Sequence, residues 1–174
     1  MPPVPLPGSY WVVDDLLLAG AYPGAIDPDE TRRNLRAYLD AGVRLFIDLT
    51  EEGELLSYHS SLMDEALSMD VKVTHVRVPV RDMGIPTSQQ VHDVLARIAE
   101  ALTAREAVYV HCWGGIGRTG TIVGCWLRGA GHAADEALAR IERLRHGISD
   151  GWRRSPETSE QRQFVTDWRV DATG

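Results

Sequence analysis

The chain has 174 residues, of which 44% are hydrophobic and 25% are charged, a composition typical of one soluble globular domain. Its net charge of −7 argues against nucleic acid or an anionic membrane surface as a partner. No apolar run approaches membrane-spanning length, and the proline-rich residues 1–8 lack the features of a secretion signal. We therefore expect a single domain over 1–174, with residues 1–8 as a tail.

Strand and helix patterns alternate along the chain. Short apolar, β-branched runs predict strands within 11–19 and over 43–48, 71–76 and 107–111. Helical spacing of apolar residues predicts helices, the third with Ser88 as its N-cap, over 29–41, 54–70, 88–104, 119–128, 133–145 and 156–169. This alternation indicates an α/β fold, in which helices cover both faces of a mainly parallel sheet.

The segment from His111 to Gly120 reads His-Cys-Trp-Gly-Gly-Ile-Gly-Arg-Thr-Gly and joins a predicted strand to a predicted helix. Its glycines permit positive φ and close backbone approach, so successive N–H groups can point at one tetrahedral anion. The positive end of the helix points there too. In such a field we expect Cys112 to be a thiolate at neutral pH. Arg118 has a planar guanidinium that can hold two phosphoryl oxygens at once.

This string resembles the signature of the cysteine-dependent protein tyrosine phosphatase superfamily, in particular its small dual-specificity and bacterial tyrosine phosphatase branches. The resemblance implies a sheet of four or five strands and the hydrolysis of phosphomonoesters without a metal or a cofactor. It makes Cys112 the nucleophile that forms a phosphocysteine. It also implies a phosphate-binding loop made of Trp113, Gly114, Gly115, Ile116, Gly117 and Arg118.

A phosphatase also needs an acid that protonates the leaving oxygen. Asp82 lies in a loop that is expected to end near the strand tips, and the resemblance places the general acid in this interval. The alternative is a solvated loop aspartate or a helix-leading cap. Three other carboxylates are rivals for the role: Asp48, Glu51 and Glu52. Segment 49–52 is expected to lie near Cys112, because ligands of parallel sheets gather at the carboxyl ends of the strands.

Three supporting residues are expected. The resemblance implies that His111 stabilises the loop through hydrogen bonds. Thr119 can donate its hydroxyl to the cysteine sulfur, or it can serve as a helix cap. Gln161 resembles a family glutamine that orients water, with Gln163 as the alternative, although Glu157 stands where many members place that glutamine. An ordinary exposed helix face is the competing interpretation for Gln161.

The two cysteines agree with a cytoplasmic location. Cys125 lies on an apolar helix, which favours a buried, inert thiol over a redox partner of Cys112. A redox sensor that bridges the two cysteines is one alternative to a phosphatase. A phosphate-binding module without turnover is another, and a core pair of His111 and Cys112 with turn-forming glycines is a third.

The expected substrate is a phosphorylated protein, with phosphotyrosine first and phosphoserine or phosphothreonine possible in a shallow pocket. The loop 113–117 contains no lysine, which disfavours a lipid or head group with several phosphates. A small phosphorylated metabolite stays open as an alternative. The sequence does not indicate an oligomeric state.

Overall fold

The computed structural model describes residues 2–169. Its centre is a sheet of five strands, which are β1 Ser9–Val13, β2 Leu17–Gly20, β3 Val43–Asp48, β4 Thr74–Arg77 and β5 Ala107–His111. The strand order is β1-β2-β5-β3-β4. Only the β1–β2 pair is antiparallel, and β5 lies between β2 and β3 in parallel register. The prediction of a mainly parallel sheet of four or five strands is confirmed.

Six helices cover the two faces of this sheet. They are α1 Pro28–Asp40, α2 His59–Ser68, α3 Ser88–Thr103, α4 Gly117–Gly129, α5 Ala134–Leu144 and α6 Ser159–Asp167. One face packs against α3 to α6 through a large apolar cluster that includes Val94, Ile122 and Ile141. The other face packs against α1 and α2 through a second cluster that includes Leu35 and Leu62. The fold is therefore an α/β layer structure, as the alternating pattern predicted.

Several predicted boundaries were wrong. The helix expected over 54–70 begins only at His59, because the chain first turns at Gly53, where φ is 79°. The helix expected from 156 begins at Ser159. The N-cap of α3 is Thr87 rather than Ser88, since the Thr87 hydroxyl accepts the Gln90 N–H and the Gln90 side chain accepts the Thr87 N–H.

The predicted tail over 1–8 makes specific contacts in its described part. Trp11 donates its indole N–H to the carbonyl of Pro3 at 3.2 Å, and Leu6 packs against the apolar cluster of α1 and α2. The segment therefore lies against the domain. Within 2–169, none of the helices combines the length and the apolar character that crossing a bilayer requires.

Candidate active site

The loop between β5 and α4, residues 112–116, lies at the carboxyl edge of the parallel strands. Gly115 has a φ of 67°, and a Cβ at this position would lie 2.3 Å from the carbonyl carbon of Gly20. Only glycine fits there without displacing β2. The loop carbonyls are held by the backbone N–H of Tyr22, which donates to Trp113 at 2.8 Å, and by the Ser155 hydroxyl, which donates to Ile116 at 2.7 Å. The loop is therefore fixed from both sides.

Cys112 lies in a cavity of about 410 Å³. The thiol is buried, with 3% of the residue exposed, yet it lines this cavity. The same cavity is lined by four of the residues predicted to bind phosphate through the backbone, namely Trp113, Gly114, Ile116 and Gly117. Gly115 instead packs against Gly20. Helix α4 begins here, and its first backbone N–H groups have no acceptor within the helix. A tetrahedral anion above Cys112 would meet these donors.

The guanidinium of Arg118 is almost fully buried at the same cavity. It forms a bidentate ion pair with Glu54, in which Nη1 donates to Oε2 at 2.8 Å and Nη2 donates to Oε1 at 2.6 Å. Nη1 also donates to the carbonyl of Val80 at 3.0 Å. The hydrogen bond from Arg118 lowers the pKa of Glu54. Glu54 therefore stays ionised and holds the plane of the guanidinium in one orientation.

Glu54 is a site residue that the sequence analysis missed. It was assigned to the start of a helix, whereas the loop after β3 carries it to the edge of the sheet. The expected convergence of segment 49–52 on Cys112 was the signal, and Glu54 follows that segment by only two residues.

Asp82 lies at the mouth of the cavity. Its carboxylate Oδ1 is 3.0 Å from Arg118 Nη2, and the side chain is 53% exposed. It lines the cavity together with Cys112 and Arg118. The structure thus brings together the three residues predicted to be catalytic. A carboxyl group in this place is within reach of a leaving oxygen on a phosphoryl group held by Arg118.

The rival carboxylates lie elsewhere. Asp48 is fully buried and accepts hydrogen bonds from Thr50 and Arg77. Burial raises the pKa of Asp48, but the His75 imidazole and Thr50 outweigh burial and hold the pKa well below its usual range. Glu51 and Glu52 are exposed and do not line the cavity of Cys112. Asp48 is therefore a structural carboxylate beneath the site.

His111 is fully buried next to the nucleophile. Its Nδ1 lies 3.4 Å from the carbonyl oxygen of Cys112, and its Nε2 lies 2.7 Å from the Tyr58 hydroxyl. Burial lowers the pKa of His111 to about 4, so the ring is neutral at pH 7. A carbonyl only accepts, so the proton belongs on Nδ1, and Nε2 then accepts from Tyr58. This arrangement stabilises the loop and agrees with the supporting role expected for His111.

The buried neutral His111 predicts a specific pH dependence of stability. The unfolded chain takes up a proton near pH 6.5, whereas the folded chain takes it up only near pH 4. The free energy of unfolding should therefore fall as the pH is lowered through this window. We expect His111→Gln to make the decline shallower in urea titrations, whereas the exposed His146→Gln should leave it unchanged. Equal slopes in the two variants would contradict the assignment.

Thr119 lies fully buried in the first turn of α4. Its Oγ1 has no hydrogen-bond partner among residues 2–169. The helix begins after Ile116 without a side-chain cap. The structure therefore gives no support to Thr119 as the helix cap, and a role toward the cysteine sulfur stays a prediction.

The glutamines of α6 differ from each other. Gln161 is fully buried and lines the cavity of Cys112. Gln163 is exposed and donates to Asp167 at 3.0 Å. Glu157 lines the cavity and forms an ion pair with Arg153, which lines it too. Of the two glutamines, Gln161 is therefore the one that lines the cavity of Cys112. It is buried and does not belong to an exposed helix face.

Cys125 lies fully buried on α4, within the apolar cluster of α3 to α6. Burial raises the pKa of its thiol. Both Cys112 and Cys125 are free thiols. A protonated thiol in an apolar cluster is a poor partner for thiol exchange, so the position agrees with an inert structural cysteine.

Comparison with known proteins gives a family match over most of the domain. The family model described as "Tc-R-P: Polymorphic toxin system, DSP-PTPase phosphatase" matches residues 22–132. Protein 067L of Invertebrate iridescent virus 3 is 27% identical over 169 residues, which are 90% of this chain and 63% of that protein. Protein tyrosine phosphatase domain-containing protein 1 of Mus musculus is 29% identical over 145 residues, which are 79% of this chain and 19% of that protein. The chain thus spans less than two thirds of these relatives.

Solved structures share the fold over nearly the whole chain. The active form of Tk-PTP superposes with a TM-score of 0.71 at 25% identity, covering 94% of this chain and 99% of that one. PTPMT1 superposes with a TM-score of 0.67 at 26% identity, covering 91% of this chain and 92% of that one. PTPMT1 has also been solved in complex with PI(5)P.

Proposed function

The chain belongs to the DSP-PTPase phosphatase family, and on this premise we propose that it hydrolyses phosphotyrosine in proteins through a phosphocysteine intermediate. One observation carries the proposal. Cys112, Arg118 and Asp82 line a single cavity, with the carboxylate of Asp82 3.0 Å from the guanidinium of Arg118. This arrangement supports the roles of Cys112 as nucleophile, Arg118 as phosphate-binding cation and Asp82 as acid.

In the first step, the thiolate Sγ of Cys112 attacks phosphorus, opposite the ester oxygen. The S–P bond forms as the P–O bond to the leaving group breaks. Asp82 gives its proton to the departing oxygen, which leaves as a neutral alcohol or phenol. Arg118 and the N–H groups at the start of α4 stabilise the charge on the equatorial oxygens of the phosphoryl group.

In the second step, water attacks the phosphorus of the phosphocysteine. The O–P bond forms as the S–P bond breaks, so Cys112 leaves as a thiolate. Asp82, now ionised, takes a proton from the attacking water, and inorganic phosphate departs. The Thr119 hydroxyl, buried beside the loop, assists by donating to the departing sulfur. Both steps use residues of this chain alone.

The mouth of the cavity supports an aromatic leaving group. Trp113 follows the nucleophile directly and is 58% exposed, and Met83 follows the acid directly and is 50% exposed. Both line the cavity. A phenyl ring that enters the cavity would lose water against these two apolar side chains. The loop 113–117 carries no lysine that would meet a second phosphate.

Substrate profiling tests this proposal. We expect kcat/KM to be highest for a phosphotyrosine peptide, compared with phosphoserine peptide, glucose phosphate and vesicles that contain a phosphatidylinositol monophosphate. Vanadate should block the reaction, whereas a metal chelator should not. A preference for the vesicles or for the sugar phosphate would overturn the substrate assignment and leave the chemistry intact.

The role of Trp113 can be tested separately. Trp113→Ala should lower kcat/KM for the phosphotyrosine peptide about 3- to 10-fold, the size of one aromatic contact. Activity on an alkyl phosphate should change little, because that leaving group has no ring. Trp152→Ala is the matched control, since Trp152 is 84% exposed and does not line the cavity. Equal losses from both substitutions would contradict a ring contact at Trp113.

A further inference from the structure

The Gln161 side chain joins three parts of the catalytic cavity. Its Oε1 accepts the backbone N–H groups of Glu157 and Thr158 at the start of α6, each at 3.1 Å. Its Nε2 donates to the carbonyl oxygen of Gly84 at 2.9 Å. The amide also packs against the phosphate loop, since a Cβ on Gly117 would lie 2.8 Å from Oε1. One buried amide therefore links the start of α6 to the loop after β4, and it lies next to Gly117.

The bond to Gly84 reaches the turn that carries Asp82. In this turn the N–H of Gly84 donates to the carbonyl of Arg81 at 2.9 Å, and Met83 has a φ of 59°. Residues 81–83 are exposed, so few packing contacts hold the turn in place. Gln161 is bonded to the last residue of this four-residue turn, two positions after the acid. Asp82 itself contacts Arg118, and the bond from Gln161 to Gly84 is a second link between this turn and the rest of the site.

The same contacts bear on the expected water-orienting role. A glutamine carbonyl has two lone pairs, and the Oε1 of Gln161 already accepts two backbone N–H groups. The oxygen that would accept a hydrogen bond from an attacking water is thus in use. The contacts favour a role in holding the loops over a role in orienting water.

We propose that Gln161 is a positioning residue for the general acid, which it holds over Cys112 by linking the Gly84 carbonyl to the start of α6 beside Gly117. This inference rests on the proposed function, in which Asp82 is the acid. A loop displaced from this position would leave Asp82 too far from the leaving oxygen to transfer its proton. Substitution of Gln161 should then lower kcat/KM only for substrates whose leaving group needs a proton.

Two aryl phosphates separate this role from general damage. Phenyl phosphate releases a basic oxygen that needs the acid, whereas dinitrophenyl phosphate releases a stable anion that does not. Gln161→Glu keeps an acceptor for the N–H groups of α6 but loses the donor to Gly84. We expect kcat/KM to fall about 10-fold or more for phenyl phosphate and less than about 3-fold for dinitrophenyl phosphate.

Further variants make the result specific. Gln161→Met, which lacks both polar atoms, should show the same selective loss if it folds. The exposed Gln89→Glu is the matched control and should change neither substrate. Asp82→Asn should show the selective loss in full, and adding Gln161→Glu to it should cause little further loss, because both act on one proton transfer.

The results distinguish a failure of the positioning role from a failure of the acid assignment. A selective loss in Gln161→Glu that is not additive with Asp82→Asn supports the proposal. If Asp82→Asn is selective and Gln161→Glu lowers both substrates equally or not at all, the positioning role is wrong and the proposed function stands. If Asp82→Asn itself is not selective, the acid assignment fails and the role of Gln161 fails with it.

Discussion

Cys112→Ser is expected to lower kcat/KM for a phosphotyrosine peptide by at least about 10³-fold, as is typical when a covalent nucleophile is removed. A serine hydroxyl is not ionised at neutral pH, and among residues 2–169 no histidine lines this cavity to take its proton. His111 is the nearest histidine in sequence, but its Nε2 contacts Tyr58 and its Nδ1 faces the backbone. The serine variant would therefore bind the phosphoryl group without attacking it.

The control for this change is Cys125→Ser, which makes the same exchange at a buried cysteine of α4 that does not line the cavity. We expect it to keep its activity once thermal unfolding shows that it is folded. Binding of inorganic phosphate or vanadate by Cys112→Ser, measured by calorimetry, should persist. If Cys112→Ser instead hydrolysed the peptide at the parent rate, another group would be the nucleophile and the mechanism would be wrong.

Arg118→Lys is expected to lower kcat/KM about 10²- to 10³-fold, similar to the loss of one preorganised donor to a developing charge. The guanidinium forms two bonds to Glu54 and lines the cavity. A lysine ammonium is a point charge and cannot satisfy Glu54 and two phosphoryl oxygens in one plane. The substitution keeps the charge, so the loss reports geometry.

Steady-state kinetics measure this effect, with Arg32→Lys on the exposed face of α1 as the matched control. Glu54→Gln should produce a smaller loss, because the amide still accepts one bond from Arg118 but no longer fixes both guanidinium nitrogens with charge. An Arg118→Lys variant with nearly full activity would show that a single positive charge is enough, and that the orientation set by Glu54 is irrelevant.

The part of the site carried by residues 111–120 could be predicted because it is local. A strand end, the glycine-containing loop and the helix start follow one another within ten residues, so the sequence pattern already determines their arrangement. Asp82 was predictable for a related reason, since the carboxyl ends of parallel strands meet at one edge. The structure places Asp82, Cys112 and Arg118 at the same cavity.

Glu54 and the contacts of Gln161 could not be predicted in the same way. The Arg118–Glu54 pair joins residues 64 positions apart, and the Gln161–Gly84 bond joins residues 77 positions apart. No local pattern encodes such contacts. The start of α2 was predicted wrongly for a different reason, because the apolar residues after Glu54 share a helical spacing while the chain turns at Gly53. Leu56, assigned to that helix, is 68% exposed.

Trapping the intermediate tests the central claim most directly. The protein is mixed with an excess of aryl phosphate, quenched in acid within the first turnover, and digested for peptide mass spectrometry. We expect a phosphoryl group on Cys112, formed together with a burst of phenol, and no such adduct in Cys112→Ser. A phosphoryl group on a different side chain, or release of phenol without any phosphorylated peptide, would contradict the account.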